Sequence, residues 1–346
     1  MTQDYNNFDP NSPATSGSNI FGLPFNENNA KLIIMPIPWE VTVSYRKGTA
    51  KAPLAVLEAS YQVDLYDPAI KDAWKLGIFL QEFPADIYIS NKKLRKKAEK
   101  YIQWLINGQT PDFQEKMEYY RNSINEACRE LHSYVKTSAL DLLKKNKIVA
   151  MLGGDHSTPL GLIQALAEHH GKFGILQIDA HADLRIAYEG FEFSHASIMH
   201  NALKIENVTH LVQVGIRDYC EQENDYIISE KRIHTFFDRD IKHQKFSGTT
   251  WHHICQQIIN QLPDSVYISL DVDGLDPKLF PNTGTPVPGG MEFEEIIYLI
   301  ELIANQNKKI IGFDINEIVA GKDEWDANVG ARLLYRIANL CIMSNQ

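Results

Sequence analysis

The chain has 346 residues, with 34 Lys+Arg against 44 Asp+Glu and a formal net charge of −10. At 44% hydrophobic and 23% charged residues it has the composition of a chain that buries a large core, which excludes the disordered and fibrous classes. The acidic balance opposes binding to duplex nucleic acid or an anionic membrane, and no apolar run approaches the ~20 residues that span a bilayer. Cys128, Cys220, Cys255 and Cys341 are scattered without C-x-x-C spacing, so they read as free thiols in a reducing compartment. Residues 1–19 carry neither a basic n-region nor an apolar h-region, and the expected location is the cytoplasm.

In chain order, residues 1–29 are rich in Asn, Ser, Pro and Gly and read as a loose polar arm. Leu32 to Pro38 reads as a short buried strand that ends at prolines. A polar loop from Trp39 to Lys51 leads into a helix with Pro53 in its first turn, where a missing N–H is harmless. The charge-rich segment 91–147 is a helical insertion, two helices broken near Gly108 to Pro111; Ile124, Ala127, Cys128, Leu131, Tyr134 and Val135 recur at three and four. Five apolar runs then alternate with helical patterns: 148–152, 173–178, 210–214, 266–270 and 310–313. Continuous apolar strands separated by helices predict a mainly parallel sheet covered on both faces, a three-layer α/β/α sandwich forming one α/β domain over 30–346.

Ligands of such sheets bind beyond the carboxyl ends of the strands, and three polar clusters fall there. Gly153-Gly154-Asp155-His156-Ser157 follows the run ending at Leu152, Asp179-Ala180-His181-Ala182-Asp183 the run ending at Ile178, and Asp271-Val272-Asp273-Gly274-Leu275-Asp276-Pro277 the run ending at Leu270. Asp179, His181 and Asp183 alternate, as do Asp271 and Asp273, so a continued strand would project each set to one side. Taken singly, the Gly-Gly-Asp-His and Asp-Val-Asp-Gly stretches have an ordinary explanation as turns. Together they converge two imidazoles and at least four carboxylates on a small volume, a charge density that requires cations. The six residues suffice for two divalent ions about 3.5–4 Å apart. The mixed imidazole and carboxylate set suits manganese, with nickel, cobalt, iron or zinc admissible, and the lack of cysteine disfavours a structural zinc. Such a pair activates water, which points to metal-assisted hydrolysis.

These motifs, in this order, resemble those of the ureohydrolase (arginase and agmatinase) family, as do Thr283-Gly284-Thr285-Pro286, Asp314-Ile315-Asn316-Glu317 and Asp326-Ala327-Asn328 further on. The resemblance spans about Lys31 to Leu340 and implies an arginase-like fold. It also implies a ligand set: His156, Asp179, Asp183 and Asp271 for one metal, and Asp179, His181, Asp271 and Asp273 for the other, with Asp179 and Asp271 bridging. Hydroxide would attack the trigonal guanidinium carbon, and Asp183 would help move its proton to the leaving amine. Glu317 would pair with the substrate guanidinium, and His195 would shuttle protons or touch substrate; both are candidate catalytic and substrate-binding residues. His200, His252 and His253 have no such context. The family also implies a homo-oligomer, a trimer or a hexamer.

Substrate loops depart from the arginase pattern. Gly190-Phe191-Glu192-Phe193-Ser194 stands where arginases have Ser-Gly-Asn, and Cys220 where they have an aspartate, which weakens arginine as substrate. The Glu192-Phe193-x-His195 run is nearer the agmatinases, while Ala52 in place of a glycine, the arm and the insertion mark a divergent branch. Agmatine, hydrolysed to putrescine and urea, is therefore the expected small guanidino substrate, with loop Tyr188 to Phe193 closing the pocket. Arginine, guanidine, a guanidino acid and formimidoylglutamate are the alternatives, and a catalytically silent regulatory homologue is the reading from a different class.

Overall fold

The computed structural model describes residues 8–15 and 17–346. Strand β1 (Leu32–Pro36) is fully buried and leads through a long loop to helix α1 (Ala52–Ser60), which has Pro53 in its first turn. A three-residue strand, β2 (Ile78–Leu80), precedes two long helices, α2 (Ala85–Ile106) and α3 (Gln114–Lys144), over the segment expected to be a helical insertion. Their break falls at Asn107 to Phe113, where Gly108 takes a positive φ and Pro111 opens a short turn. Alternating units follow: β3 (Ile148–Leu152), α4 (Leu160–His170), β4 (Phe173–Ile178), α5 (Ile198–Leu203), β5 (Val208–Ile216), α6 (Glu221–Ser229), β6 (Ile233–Phe237), α7 (Asp238–Phe246), α8 (Trp251–Ile259), β7 (Ser265–Asp271), α9 (Phe293–Asn305), β8 (Lys309–Asn316) and α10 (Trp325–Met343).

Among the described residues the sheet has eight strands in the order β2-β1-β3-β8-β7-β4-β5-β6, and every pairing is parallel. Helices cover both faces: α2, α3, α4 and α5 pack in succession on one, and α1, α10, α9 and α8 on the other. Both faces are buried, which is why the central strands read as mainly apolar runs, interrupted by the buried Gln177, Gln213 and Ser269. The chain order reverses at the centre. β3 and β4 are separated by β8 and β7, so the carboxyl ends of these four strands lie side by side at the switch in strand order.

The structure departs from the sequence expectation in three places. Residues 1–7 and 16 of the expected arm lie outside the described residues, but Ile20, Phe21, Leu23 and Phe25 within it are buried in the core. Phe21 stacks edge-on against Tyr335 of α10, and its N–H donates to Ser60 Oγ at 2.9 Å. Strands β2 and β6 were not expected: the apolar run of β2, Ile78–Leu80, is only three residues long, and β6 is a half-buried edge strand carrying His234 and Thr235. Strand β8 runs past its apolar stretch and includes Asp314 and Asn316, both buried.

Ile300→Ala, at a fully buried position of α9, is expected to destabilise by about 2–5 kcal/mol. Ile228→Ala, at a position 76% exposed, should change stability by less than about 0.5 kcal/mol. Urea midpoints of the two variants measure the contrast.

Candidate metal centre

The three polar clusters meet at the carboxyl ends of β3, β4 and β7. After β3 the chain turns so tightly over Trp39 that any Cβ on Gly154 would collide with the Trp39 carbonyl, which accepts the Asp155 N–H at 2.8 Å. This close approach, open only to glycine, buries His156 completely. Strand β4 stops at Ile178, and the alternation expected for Asp179, His181 and Asp183 is replaced by turns. Asp179 Oδ1 accepts the His181 N–H at 2.6 Å, and Asp183 adopts a left-handed backbone, φ 55°. Asp271 ends β7 and its Oδ1 accepts the Asp273 N–H at 2.9 Å, which curls Val272–Gly274 into a short 3-10 turn. Gly274 faces the Asp179 backbone, 2.6 Å from where a Cβ would sit, so the two acidic turns pack directly together.

All six expected ligands converge. His156 Nδ1 lies 3.0 Å from Asp179 Oδ2, 3.1 Å from Asp183 Oδ2 and 3.3 Å from Asp271 Oδ2, while His181 Nδ1 lies 3.1 Å from Asp273 Oδ2 and 3.6 Å from Asp179 Oδ1. Donor atoms about 2.1 Å from one cation and at right angles are about 3 Å apart, so these are the spacings of ligands around a shared ion. Among the described residues, His156, Asp179 and Asp183 form one group able to hold a metal, and Asp179, His181 and Asp273 form another. Asp179 belongs to both, the arrangement of a dinuclear site, and Asp271 adjoins the first through His156.

The donor chemistry fits cations. His156 Nδ1 is buried without a hydrogen-bond partner although three carboxylates surround it. Burial, reinforced by the Asp179 charge, pushes Asp183 up to about 7; burial and the charges of Asp273 and Asp179 hold Asp271 well above the usual carboxylate range. Burial alone would depress His156 and His181, yet the facing carboxylates hold both well above the usual imidazole value. Asp179, buried but between two imidazoles, is held low. A cluster this acidic retains protons unless divalent ions replace them.

One layer below, a row of polar side chains crosses five neighbouring strands in register: Thr235, Gln213, Gln177, Ser269 and Asp314. Thr235 Oγ1 donates to Gln213 Oε1 at 2.7 Å, Gln213 Nε2 to Gln177 Oε1 at 2.7 Å, and Gln177 Nε2 to Asp179 Oδ2 at 2.9 Å. On the other side, Ser269 Oγ lies 2.9 Å from His156 Nε2 and donates to Asp314 Oδ1 at 3.1 Å; Tyr267 also donates to Asp314. Each half of the row ends on a ligand, and each sets the orientation of its ligand. Arg217 ties the third turn down, donating to the carbonyls of Asp273 at 2.6 Å, Leu275 at 3.3 Å and Val287 at 3.0 Å.

A cavity of about 190 Å³ opens on the cluster, lined by His181, Asp183, Asp271, His195, Ser44, Arg185, Tyr188, Asp218, Tyr219, Glu223 and Thr285. His195 Nδ1 is 3.3 Å from Glu317 Oε1 and its Nε2 is 3.2 Å from Ser44 Oγ. Burial works against its charge, but Glu317, Asp155 and Asp183 hold its pKa above the ordinary value. Glu317 does not line this cavity: it is buried behind His195 with φ 64°, Oε1 accepts the His156 N–H at 3.0 Å, and Oε2 is buried without a partner. His200 packs near Tyr226, His252 pairs with Tyr298, and His253 is exposed, all apart from the centre. Sequence reasoning overlooked Arg185 and Asp218 as cavity residues; Asp218 closely follows Ile216 at the end of β5, where the strand-end rule looks, whereas Arg185 lies well beyond the end of β4. Ser44 has no such signal; it arrives on the loop between β1 and α1. Cys220 begins α6, and Asp218 rather than Cys220 takes the cavity wall.

Ligation requires His156, His181, Asp183 and Asp271 to lose protons they hold tightly, so manganese affinity should rise with pH and weaken steeply below about 7; calorimetric titration at several pH values checks the sign. Metal analysis should find both ions lost in Asp179→Ala, which removes the shared ligand, and one retained in Asp273→Ala.

The Arginase family model matches residues 30–339. The N(1)-aminopropylagmatine ureohydrolase of Thermus thermophilus is 28% identical over 324 residues, covering 93% of this chain and 94% of that protein. The agmatinase of Cronobacter sakazakii is 27% identical over 319 residues, covering 89% and 88%. The crystal structure of agmatine ureohydrolase from Thermoplasma volcanium superposes with a TM-score of 0.71 at 22% identity, covering 95% of this chain and 96% of that one, a likeness of fold. With a family match over nearly the whole chain, motifs in the family order and two buried His/Asp groups at the strand ends, the chain belongs to the arginase family.

Proposed function

We propose that the protein hydrolyses a guanidino C–N bond and releases urea, acting in the agmatinase manner on agmatine to give putrescine, with manganese in both positions. The observation that carries this reading is Asp179, shared between two ligand groups beneath a small cavity that His195 also lines. The relatives named for agmatine and aminopropylagmatine support the substrate class. Complete ligand groups speak against a silent regulatory homologue, because losing one ligand is enough to silence such a site.

When bound, the two cations supply the Lewis acidity and the lowered water pKa that hydrolysis at neutral pH needs. Asp183, on the cavity wall, accepts the proton of the attacking water. Glu317, behind His195 and off the cavity wall, holds the imidazole through Oε1, and its buried, unpartnered Oε2 becomes an acceptor for a guanidinium N–H when His195 moves aside. His195, whose pKa burial lowers but the facing Glu317 raises above the ordinary imidazole value, donates to the leaving amine. Asp218, largely exposed at the cavity wall, suits the cationic tail of agmatine. Arg185, on the same wall with its guanidinium 4.9 Å over the Tyr188 ring, favours a second reading, a guanidino acid with a carboxylate tail.

Urea release from agmatine, 4-guanidinobutyrate, arginine and guanidine, and formamide release from formimidoylglutamate, should be assayed with manganese and with nickel. Agmatine is expected to be the best substrate; 4-guanidinobutyrate in first place selects the second reading, and no turnover of any compound overturns the enzyme assignment. Glu317→Gln should lower kcat/KM by about 10²–10³. It should also move the alkaline limb of the pH profile to lower pH, because His195 loses the carboxylate that holds its proton.

A further inference from the structure

Helices α2 and α3 contribute no ligand and no residue of the cavity over the metal centre. Each nevertheless buries polar side chains against the loops that reach the centre. Asn91 of α2 is 2% exposed, and its Oδ1 accepts the Glu40 N–H at 2.8 Å. One turn on, Arg95 donates to the carbonyls of Val41 and Val43. These bonds fasten the loop that carries Ser44. On α3, Asn125 is 5% exposed; its Nδ2 donates to Gly190 O at 3.3 Å and its Oδ1 accepts the Glu192 N–H at 3.0 Å.

The two loops then meet. Thr42 Oγ1 donates to Phe193 O at 3.4 Å, and Ser44 Oγ lies 3.2 Å from His195 Nε2. Aromatic contacts follow the same pattern: Phe191 packs on Tyr101 of α2 with ring centroids 5.3 Å apart, and Phe193 on His132 of α3 at 5.1 Å. Just before Phe191 the chain takes two positive-φ residues, Glu189 at φ 51° and Gly190 at φ 77°; at Glu189, which has a Cβ, that conformation persists only where its surroundings over-determine it.

Asparagine is a poor helix former and costs free energy when buried unpaired, so one on the inner face of each helix needs a reason. Both give their amides to loop backbone instead of to their own helix. A site on loops is only as well placed as the shell that supports it. We propose that the α2–α3 pair is a brace for the catalytic loops, with Asn91, Arg95 and Asn125 as positioning residues that hold Ser44 and the 188–194 loop so that His195 faces the cavity. The effect on turnover rests on the function proposed above; the effect on the loop does not.

Hydrogen–deuterium exchange of the manganese-loaded full-length protein tests the brace. Asn125→Ala should speed exchange of the 188–197 amides by about tenfold or more, while Leu142→Ala, buried farther along α3, should lower the melting temperature without that local change. With agmatine, kcat of Asn125→Ala should fall by a similar factor with KM little changed. Asn125→Asp, which can still accept from Glu192 but cannot donate to Gly190, should recover part of both effects. Unchanged loop exchange in Asn125→Ala, or equal acceleration in Leu142→Ala, overturns the brace; faster exchange with kcat unaltered overturns its positioning role. If the wild-type protein turns over no agmatine, the proposed function fails, and the exchange comparison still decides the brace.

Discussion

Four carboxylates and two imidazoles occupy one small, mostly buried volume at the end of the sheet, and the rest of the structure is arranged to make that tolerable. Unaided, such a cluster keeps protons on groups that would ordinarily lose them, as the raised Asp183 and Asp271 show. Divalent cations relieve the same repulsion and leave the carboxylates ionised. The resulting centre is strongly charged, poor in solvent and rigid, the setting in which activated water and fixed hydrogen-bond partners act most effectively on a cationic substrate.

The sheet supplies the rigidity. Its register sets Thr235, Gln213, Gln177, Ser269 and Asp314 in one row, so that backbone pairing aligns side chains that then bond sideways to Asp179 and His156. Where a strand ends, a small turn takes over, and glycines at 154 and 274 let these turns approach closer than any other residue would allow. The second loop system, which carries Ser44 and His195, lies farther along the chain from its strands, Ser44 beyond Pro36 at the end of β1 and His195 beyond Ile178 at the end of β4. Its supports come instead from the α2–α3 pair, a division of labour in which the sheet orients the ligands and the helices orient the groups that face substrate.

Much of this was legible in the sequence for identifiable reasons. Strands buried on both faces are continuous apolar runs, so the central five announce themselves, and the polar clusters following three of them mark the site by position alone. The short β2 and the half-buried edge strand β6 lack that signature. Ile20 to Phe25 were hidden by polar neighbours, because four anchoring residues in an irregular segment create no period. Strand alternation picked out residues that do converge, for a partly wrong reason: side chains at 179 and 181, and at 271 and 273, are gathered by turns in which an aspartate accepts the N–H two residues on, and Asp183 by a left-handed backbone. Glu317 was found by resemblance, but its burial behind His195 is a tertiary fact that no local pattern carries. The contacts of Asn91, Arg95 and Asn125 with loops far away in the chain are equally invisible to periodicity, which reads them only as polar residues within a helix.

The proposed chemistry depends on two cations sharing Asp179. Anomalous scattering from crystals of the manganese-loaded protein measures this directly: two peaks about 3.5–4 Å apart, one beside His156 and Asp183 and the other beside His181 and Asp273, are the predicted result. A single peak, or manganese bound away from Asp179, would contradict it.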